Sequence, residues 1–454
     1  MIKYRSTVRL GVTAQVCDPC SGSVRRPATT RNIRSHRERT LKRLLTGVAV
    51  LWLAGWCGAL TAAGPLFLGL GDRPGGTAKS VSADGSVVVG RISTARGVEA
   101  FHWSDSSGVT VFGHLAGGQP VCAAYGASVD GSVVVGYAVS AEGEEAFRWT
   151  KRSGLVGLGE LPGGAFASRA FGVSADGSVV VGWSVSASGS EAFRWTEHSG
   201  MGGIGDLPDG DCSSIAYGVS ADGSTVVGEG ASAHGNEAFR WTEQSGMVGL
   251  GDLPGGVFDS TAIDVSADGS VVVGKSQSAS RSEAFRWTSE GGMAGLGCLP
   301  GHTESAATGV SADGSVVVGW SGSKTEAFIW DSRHGMRRLG DVLTNLGTDI
   351  VGWRLTCAVD ISADGKLIVG TALGPRSKQE NWLAKFEPLP ETAKVAPFTH
   401  GKSALLIALS ALAAIGAWWH RQLARALSVC ARRFSLGATC GDSAVAVHGA
   451  RMNQ

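Results

Sequence analysis

The sequence predicts an all-β fold, a seven-bladed β-propeller of four-stranded repeats about 46 residues long. The first observation is a turn tetrad, Ser-Ala-Asp-Gly or a close variant, that recurs seven times. The second is a set of four short strand-like runs in each copy, bounded by turn residues. The third is a permutation, because the strand missing from the last copy stands before the first, at 66–72. The turn aspartates are Asp84, Asp130, Asp176, Asp222, Asp268, Asp313 and Asp364.

The fourth copy shows the predicted strands in order. They are 216–220, 225–232, 237–242 and 247–253, with the Asp-Gly turn between the first two. Gly accepts positive φ in a tight hairpin, and the Asp carboxylate can accept a hydrogen bond from the backbone two residues on. The Val-Val-Val run that follows most turns is apolar on both faces, which indicates a strand covered on both sides.

The first strand of each copy is predicted to be innermost. An alanine stands six residues before every turn aspartate, and a steric limit next to the central axis would explain it. These alanines are Ala78, Ala124, Ala170, Ala216, Ala262, Ala307 and Ala358. The N-terminal strand would then complete the last blade, closing the circle and removing an exposed edge. A solenoid has no use for this permutation.

The repeat resembles the HAF repeat of predicted extracellular bacterial proteins. The motifs that carry the resemblance are Glu-Ala-Phe followed by any residue and Trp, as in Glu145-Ala146-Phe147, together with Val-Ser-Ala-Asp-Gly-Ser and Gly-Leu-Gly-Asp-Leu-Pro-Gly-Gly. The resemblance covers roughly residues 65 to 385 and departs from the family name by having Glu in place of His. It implies an exported, propeller-like protein and brings no established activity.

The segments outside the array predict export and anchoring. A basic segment, 1–43, precedes an apolar stretch, 44–63, that has the shape of a signal peptide or signal anchor. The propeller is predicted over 64–388, and a linker over 389–402 begins with Leu-Pro-Glu-Thr-Ala. That motif resembles a sortase signal, although linker composition explains it as well.

A second apolar run, 403–419, is predicted to be a transmembrane helix, and 420–454 a basic cytoplasmic tail. Both basic flanks would stay inside, so the propeller would lie outside the cytoplasm, in the cell envelope. The chain between the basic ends is acidic overall, which argues against a nucleic-acid partner. No cofactor is predicted, and calcium is left open.

Residues that repeat in all copies are expected to be architectural, and breaks in the repeat are better site candidates. Four residues before the turn aspartate, Asp264 and Asp360 replace small residues, so they could face the channel. Trp353 and Arg354, in the longer last connection, are expected to overhang the same mouth. The alternative for all four is a packing variant at a strand end.

A glutamate opens the third strand of every copy. These residues are Glu99, Glu145, Glu191, Glu237, Glu283, Glu326 and Glu380. The structural interpretation is local pairing, with the following Arg or with loop backbone, and the functional one is an acidic rim that attracts cations or basic ligands.

The leading hypothesis for function is a non-enzymatic binding module that is membrane-anchored through its C-terminal helix and recognises a surface protein or glycan. One alternative is an enzyme acting on an extracellular polysaccharide, with Asp264, Asp360 and Arg354 near the channel mouth. A third class is a structural surface-layer component.

Overall fold

The computed structural model describes residues 66–69 and 76–386, and the regular secondary structure of these residues is almost entirely β-strand. Among these described residues, no helix is both long and apolar enough to cross a bilayer. The predicted N-terminal segments 1–43 and 44–63 lie outside the described residues. So do the linker over 389–402, the predicted transmembrane helix 403–419 and the tail 420–454.

The strands and the short helix alternate with tight turns along the chain. They are β1 (Leu66–Gly69), β2 (Thr77–Val81), β3 (Val88–Ser93), β4 (Val98–Ser104), β5 (Gly108–Val111), β6 (Cys122–Ala127), β7 (Val133–Val139), β8 (Glu144–Thr150), β9 (Gly154–Gly157), β10 (Gly163–Val173), β11 (Val179–Ser186), β12 (Gly189–Thr196), β13 (Gly200–Gly203), β14 (Ser214–Val219), β15 (Thr225–Ser232), β16 (Gly235–Thr242), β17 (Gly246–Gly249), β18 (Gly255–Val265), β19 (Val271–Ser278), β20 (Ser282–Thr288), β21 (Gly292–Gly297), β22 (Ser305–Val310), β23 (Val316–Ser321), β24 (Glu326–Asp331), β25 (Gly335–Arg338), α1 (Leu339–Asn345), β26 (Arg354–Ile361), β27 (Leu367–Leu373) and β28 (Gln379–Lys385).

The strands pair as antiparallel groups of four consecutive strands, starting with β2–β5 and ending with β26–β28. The last group takes its fourth strand from the N-terminal side, because β1 pairs with β28 in the register Leu66↔Lys385 to Gly69↔Trp382. The sequence predicted this addition from the permuted order of motifs. Within the described residues, single parallel bridges, such as Ala167↔Glu144, link neighbouring groups.

The Asp-Gly turn forms as the sequence predicts. The Asp176 carboxylate accepts hydrogen bonds from the Ser174 hydroxyl at 2.7 Å and from the Ser178 N–H at 2.9 Å. Gly177 has a φ of 72°, which glycine adopts without strain. The turn aspartates therefore serve the hairpin.

The core lies between neighbouring groups. Ala216 is fully buried among Val181 and Ala192 of the preceding group and Phe239 of its own. The repeated alanine is therefore small because adjacent sheets meet there, and the expectation that it borders the central axis is wrong. Its strand is nevertheless the one that lines the central cavity, through the residues that follow the alanine.

Backbone hydrogen bonds run from turn to turn around the array. Each links the residue before a turn aspartate, or Asp84 itself in the first repeat, to the carbonyl of the next repeat. The donors and acceptors are Asp84 N→Val129 O, Val129 N→Ala175 O, Ala175 N→Ala221 O, Ala221 N→Ala267 O, Ala267 N→Ala312 O, Ala312 N→Ala363 O and Ala363 N→Ala83 O. The last bond returns to the first repeat, so the groups follow one another in a closed circle. This is the arrangement of a β-propeller.

Candidate functional site

A cavity of about 310 Å³ lies where the first strands of the groups converge. Its lining comes from the same few positions of every repeat, around and just after the buried alanine. Asp264 and Asp360 are among the lining residues, as the sequence predicts, and so are Lys79 and Tyr125. The cavity is thus built from one strand of each repeat, and its chemistry depends on how the repeats differ.

One variable position lines this cavity in every repeat and a second lies on the neighbouring strand, and we call the two together the variable ring. One position is five residues before the turn aspartate and the other is seven residues after it. The first set is Lys79, Tyr125, Phe171, Tyr217, Ile263, Thr308 and Val359, and the second is Arg91, Tyr137, Trp183, Glu229, Lys275, Trp320 and Thr371. The alanine before the first position and the glycine before the second recur in every copy, whereas the side chains at the two positions differ in size and charge. The signal that could have identified these residues in the sequence is their variation between copies at fixed distances from the turn aspartate.

A bulge brings the two sets of the variable ring together. In the fourth group the pairing of β14 with β15 skips one residue between Ala216 and Gly218, which leaves Tyr217 as the extra residue. Its hydroxyl donates a hydrogen bond to Glu229 Oε1 at 2.8 Å. Because the same bulge recurs in the other groups, the two variable positions form one continuous surface.

Aromatic side chains form an arc over the second, third and fourth repeats of this surface. The ring centroids of Tyr125 and Phe171 are 5.2 Å apart, and those of Phe171 and Tyr217 are 5.4 Å apart. Lys79 Nζ lies 5.7 Å from the Tyr125 ring centroid. Tyrosine is rare in this chain, and all three tyrosines between residues 76 and 386 lie in the variable ring. Aromatic faces of this kind suit ligands with an apolar or ring face.

An arginine packs against two aromatic side chains at the second position of the variable ring. The Arg169 guanidinium lies 4.5 Å from the Tyr137 ring and 5.9 Å from the Trp183 ring. Its Nε donates to Glu144 Oε2 at 2.7 Å. Arg169 is therefore already paired, and its role is to fix the two aromatic rings rather than to supply a free charge.

Asp264 is partly exposed to the cavity and enclosed by protein on its other sides. Its Oδ2 accepts a hydrogen bond from the Val310 N–H at 2.9 Å, and its Oδ1 accepts one from the Val265 N–H at 2.8 Å. Burial raises the pKa of this carboxyl, and the nearby Asp360 carboxylate raises it further. Asp264 therefore joins one repeat to the next while facing the cavity.

Asp360 makes the same contacts between the last repeat and the first. Its Oδ2 accepts hydrogen bonds from the Ser80 hydroxyl at 2.7 Å and from the Val81 N–H at 2.9 Å. Its Oδ1 accepts one from the Ile361 N–H at 2.7 Å. Burial raises the pKa of Asp360, and the hydrogen bonds to the charged form lower it by less.

Trp353 and Arg354 do not lie where the sequence analysis expected them. Trp353 packs edge-on against Phe67 of β1, with ring centroids 5.1 Å apart, and joins the core of the last group. Arg354 is exposed at the start of β26, and neither residue lines the cavity. The connection that carries them includes the buried Leu339 and Leu343 of α1, and it therefore folds back onto the last group instead of reaching the cavity.

The glutamates that open the third strands bind backbone rather than forming a free acidic rim. Glu237 Oε1 accepts a hydrogen bond from the Gly251 N–H at 3.0 Å, and Glu145, Glu191 and Glu283 make the equivalent contact. The following arginine is not the partner, because Arg240 Nε donates instead to the Gly269 carbonyl of the next repeat at 3.3 Å. Of the two structural pairings considered, the contact with loop backbone is the one observed.

The remaining three glutamates use other partners or surroundings. Glu99 is buried and accepts a hydrogen bond from the Thr94 hydroxyl at 2.6 Å. Glu326 accepts one from Arg338 Nε at 2.8 Å, and Glu380 lies beside Gly374. Among residues 66–69 and 76–386, no group of three or more His, Cys, Asp or Glu side chains is arranged to hold a metal ion.

Comparison with known proteins identifies no family for the chain. No protein-family profile matches the chain, and no curated protein sequence matches it. The chain is similar in structure to an oligogalacturonate lyase from Vibrio parahaemolyticus, with 10% identity, 70% of this chain and 93% of that chain covered, and a TM-score of 0.48. It is also similar to TolB from Acinetobacter baumannii, with 14% identity, 67% and 81% covered, and a TM-score of 0.37. Similarities at this level concern the fold alone.

Proposed function

We propose that the chain is an exported, seven-bladed propeller of the HAF-repeat type, held at the membrane by its C-terminal segment. The repeated motifs support the family, and the circle of turn-to-turn hydrogen bonds supports one blade per repeat. The apolar segments 44–63 and 403–419, with their basic flanks, support export and anchoring in the cell envelope.

The proposed activity is non-enzymatic binding of a surface glycan or protein at the variable ring. One observation carries this proposal: the repeats keep their architectural residues and diverge where side chains reach the central cavity. Selection for folding alone would leave small or repeated residues there. Aromatic, basic and acidic side chains in a different order from repeat to repeat are instead typical of a binding surface for an asymmetric ligand.

Thermal melting of the full chain against a panel of envelope glycans, calcium and EDTA tests this function. A ligand that binds only the folded form must raise the melting temperature in a saturable way. The shift should disappear in Tyr125→Ala and persist in Lys151→Gln, a change on the exposed turn between β8 and β9. A shift that Tyr125→Ala leaves unchanged would place binding elsewhere. A calcium-dependent shift would support calcium as a cofactor.

An enzyme acting on an extracellular polysaccharide is the second candidate, because two carboxyl groups with raised pKa face the same cavity. Against it, both carboxylates already accept backbone hydrogen bonds on each oxygen. Measuring product release distinguishes the two functions. An enzyme would release new reducing ends or unsaturated products from a polysaccharide and would lose that activity in both Asp264→Asn and Asp360→Asn, whereas a binding module releases nothing.

A further inference from the structure

The cavity wall contains backbone N–H groups, and in some repeats these donate hydrogen bonds to carboxylates of the protein itself. The N–H three residues before the turn aspartate faces the cavity. In the fifth to seventh and first repeats it is satisfied by a carboxylate of Asp264 or Asp360. The four donors are the N–H groups of Val265, Val310, Ile361 and Val81, at 2.7–2.9 Å from the carboxylate oxygens.

The second, third and fourth repeats offer the same donors without a carboxylate. These donors are the N–H groups of Ala127, Val173 and Val219. In an antiparallel pair, successive N–H groups along a strand point alternately toward the partner strand and away from it. The residue after each donor bonds the partner strand, as in Ser128 N→Val133 O at 2.9 Å. The three donor N–H groups therefore point away from that strand and into the cavity. In the described part of the chain, no side chain accepts from any of the three.

The positions equivalent to Asp264 and Asp360 in these repeats carry no acidic side chain. Gly126 and Gly172 stand where Asp264 stands in the fifth repeat. Ser80 is the counterpart in the first repeat, and its hydroxyl is directed to Asp360 at 2.7 Å. Three adjacent, half-buried donors in the cavity wall therefore have no acceptor among the described side chains, and a ligand that enters the cavity can supply one in place of solvent.

Positive charge gathers beside these donors. Lys79 lines the cavity. Arg91 lies on the adjacent strand β3, where it pairs with Thr77, two residues before Lys79. Burial, together with repulsion from Arg91 and Lys324, lowers the pKa of Lys79. Within residues 66–69 and 76–386 none of the three cations forms an ion pair with a carboxylate. A bound anion would relieve their mutual repulsion.

We propose that the cavity binds a carboxylate carried on a ring, the acidic sugar of a glycan being the leading source. The carboxylate would accept hydrogen bonds from the N–H groups of Ala127, Val173 and Val219, with Lys79 beside it. The ring would lie against the aromatic side chains of the same strands. This inference rests on the proposed function and names the ligand class for the same cavity. A volume of about 310 Å³ is at the lower end for ligand pockets, so it fits one ring rather than an extended chain.

The carboxyl groups of Asp264 and Asp360 do not oppose this assignment. Their oxygens are engaged by strand N–H groups on the other side of the cavity, and burial favours their uncharged form.

Titration calorimetry on the full chain provides the test, with methyl glucuronide as the acidic probe and methyl glucoside as its neutral match. We expect the glucuronide to bind at least tenfold more tightly, as is typical when hydrogen bonds reach a charged group. Cyclohexanecarboxylate forms a third arm. If it binds and the glucuronide does not, the carboxylate site stands and the ring is not a sugar.

Two matched pairs of variants locate the site. Lys79→Gln should weaken glucuronide binding several-fold, and Lys151→Gln should leave it unchanged. Gly218→Asp places a carboxylate where it can cap the Val219 N–H, as Asp264 caps Val265. The new Cβ would meet its nearest neighbours at 3.1–3.3 Å, which small adjustments accommodate. We expect binding to be lost in Gly218→Asp and retained more fully in Gly218→Ala, whose methyl group cannot accept the Val219 N–H, with melting temperatures confirming that both fold.

Neutral and acidic glycosides binding equally well would overturn the carboxylate assignment while leaving the proposed binding function intact. Binding that Gly218→Asp and Gly218→Ala weaken equally would also overturn it, because capping of the Val219 N–H would then have no part. No binding by any of the three probes would overturn it too. The melting assay with the glycan panel and Tyr125→Ala would still decide separately whether the variable ring binds a ligand.

Discussion

The carboxylate of Asp360 accepts a hydrogen bond from the backbone N–H of Val81 at 2.9 Å, across 279 positions of sequence. It thereby links the last repeat to the first, beside the turn-to-turn bond from Ala363 to Ala83. The same side chain faces the central cavity. Asp360 therefore contributes both to closure of the ring of repeats and to the lining of the candidate site.

Removing this carboxylate should destabilise the closed ring. Asp360→Ala leaves the Val81 N–H and the Ser80 hydroxyl without their acceptor, so we expect the free energy of unfolding to fall by about 1–3 kcal/mol. Urea unfolding at pH 8 measures the change. Asp360→Asn keeps an acceptor oxygen and should lose much less. Equal losses in the two variants would mean that the cost comes from altered packing and not from the hydrogen bonds.

The two cavity carboxyls should make the protein less stable as the pH rises from about 4 to 7. Their folded-state pKa values are raised above the ordinary value, so the folded chain holds these protons after the unfolded chain has released them. The free energy of unfolding therefore falls through this range and levels off above the folded pKa. The double variant Asp264→Asn with Asp360→Asn should flatten that slope in melts recorded at pH 4, 5, 6 and 7. An unchanged slope would assign it to other groups.

The turn aspartates act in the opposite direction and in a lower window. Hydrogen bonds from Ser266 and Ser270 lower the pKa of Asp268 to about 2. The stability that this carboxylate contributes is present above about pH 4 and is lost as the pH falls toward 2. Asp268→Asn should therefore lower the melting temperature at pH 6 and make a much smaller difference near pH 2. A deficit that persists unchanged at pH 2 would indicate that the turn needs the side chain for a reason other than charge.

The sequence predicted the architecture well and the site only in part. Repetition revealed the hairpin turns and the permuted strand, because residues such as Asp176 and Gly177 are needed for local geometry wherever the hairpin occurs. It also pointed to Asp264 and Asp360 as breaks in a pattern. Trp353 was misplaced because a long connection carries no periodic signal, and its packing against Phe67 depends on tertiary contacts.

A glycine in the second strand of each repeat should tolerate no side chain. A Cβ on Gly228 would lie 1.9 Å from the Ile215 carbonyl oxygen and 2.8 Å from Phe239 Cζ. Because both neighbours belong to the packed core, Gly228→Ala should cost about 3 kcal/mol or more, in the range for strained core substitutions. Gly202→Ala is the matched control, since its Cβ would meet nothing closer than 3.9 Å. Denaturant unfolding of both variants measures the difference, and similar losses would show that the close approach to Phe239 is relieved by movement.

Cys122 should be replaceable by serine but not by alanine. Its Sγ accepts a hydrogen bond from the Ala100 N–H at 2.9 Å and donates to the Gly113 carbonyl at 3.1 Å, which bridges two neighbouring groups. In the next repeat Ser168 makes the same bridge, with distances of 2.9 Å to the Ala146 N–H and 2.6 Å to the Gly159 carbonyl. Cys122→Ser restores the residue that the repeat uses elsewhere, so we expect its free energy of unfolding to stay within about 0.5 kcal/mol of the native value. Cys122→Ala leaves a buried N–H and a carbonyl unpaired and should cost about 1–3 kcal/mol. If alanine were as stable as serine in urea unfolding, the bridge would contribute nothing, and the serine at this position of the repeat would need another explanation.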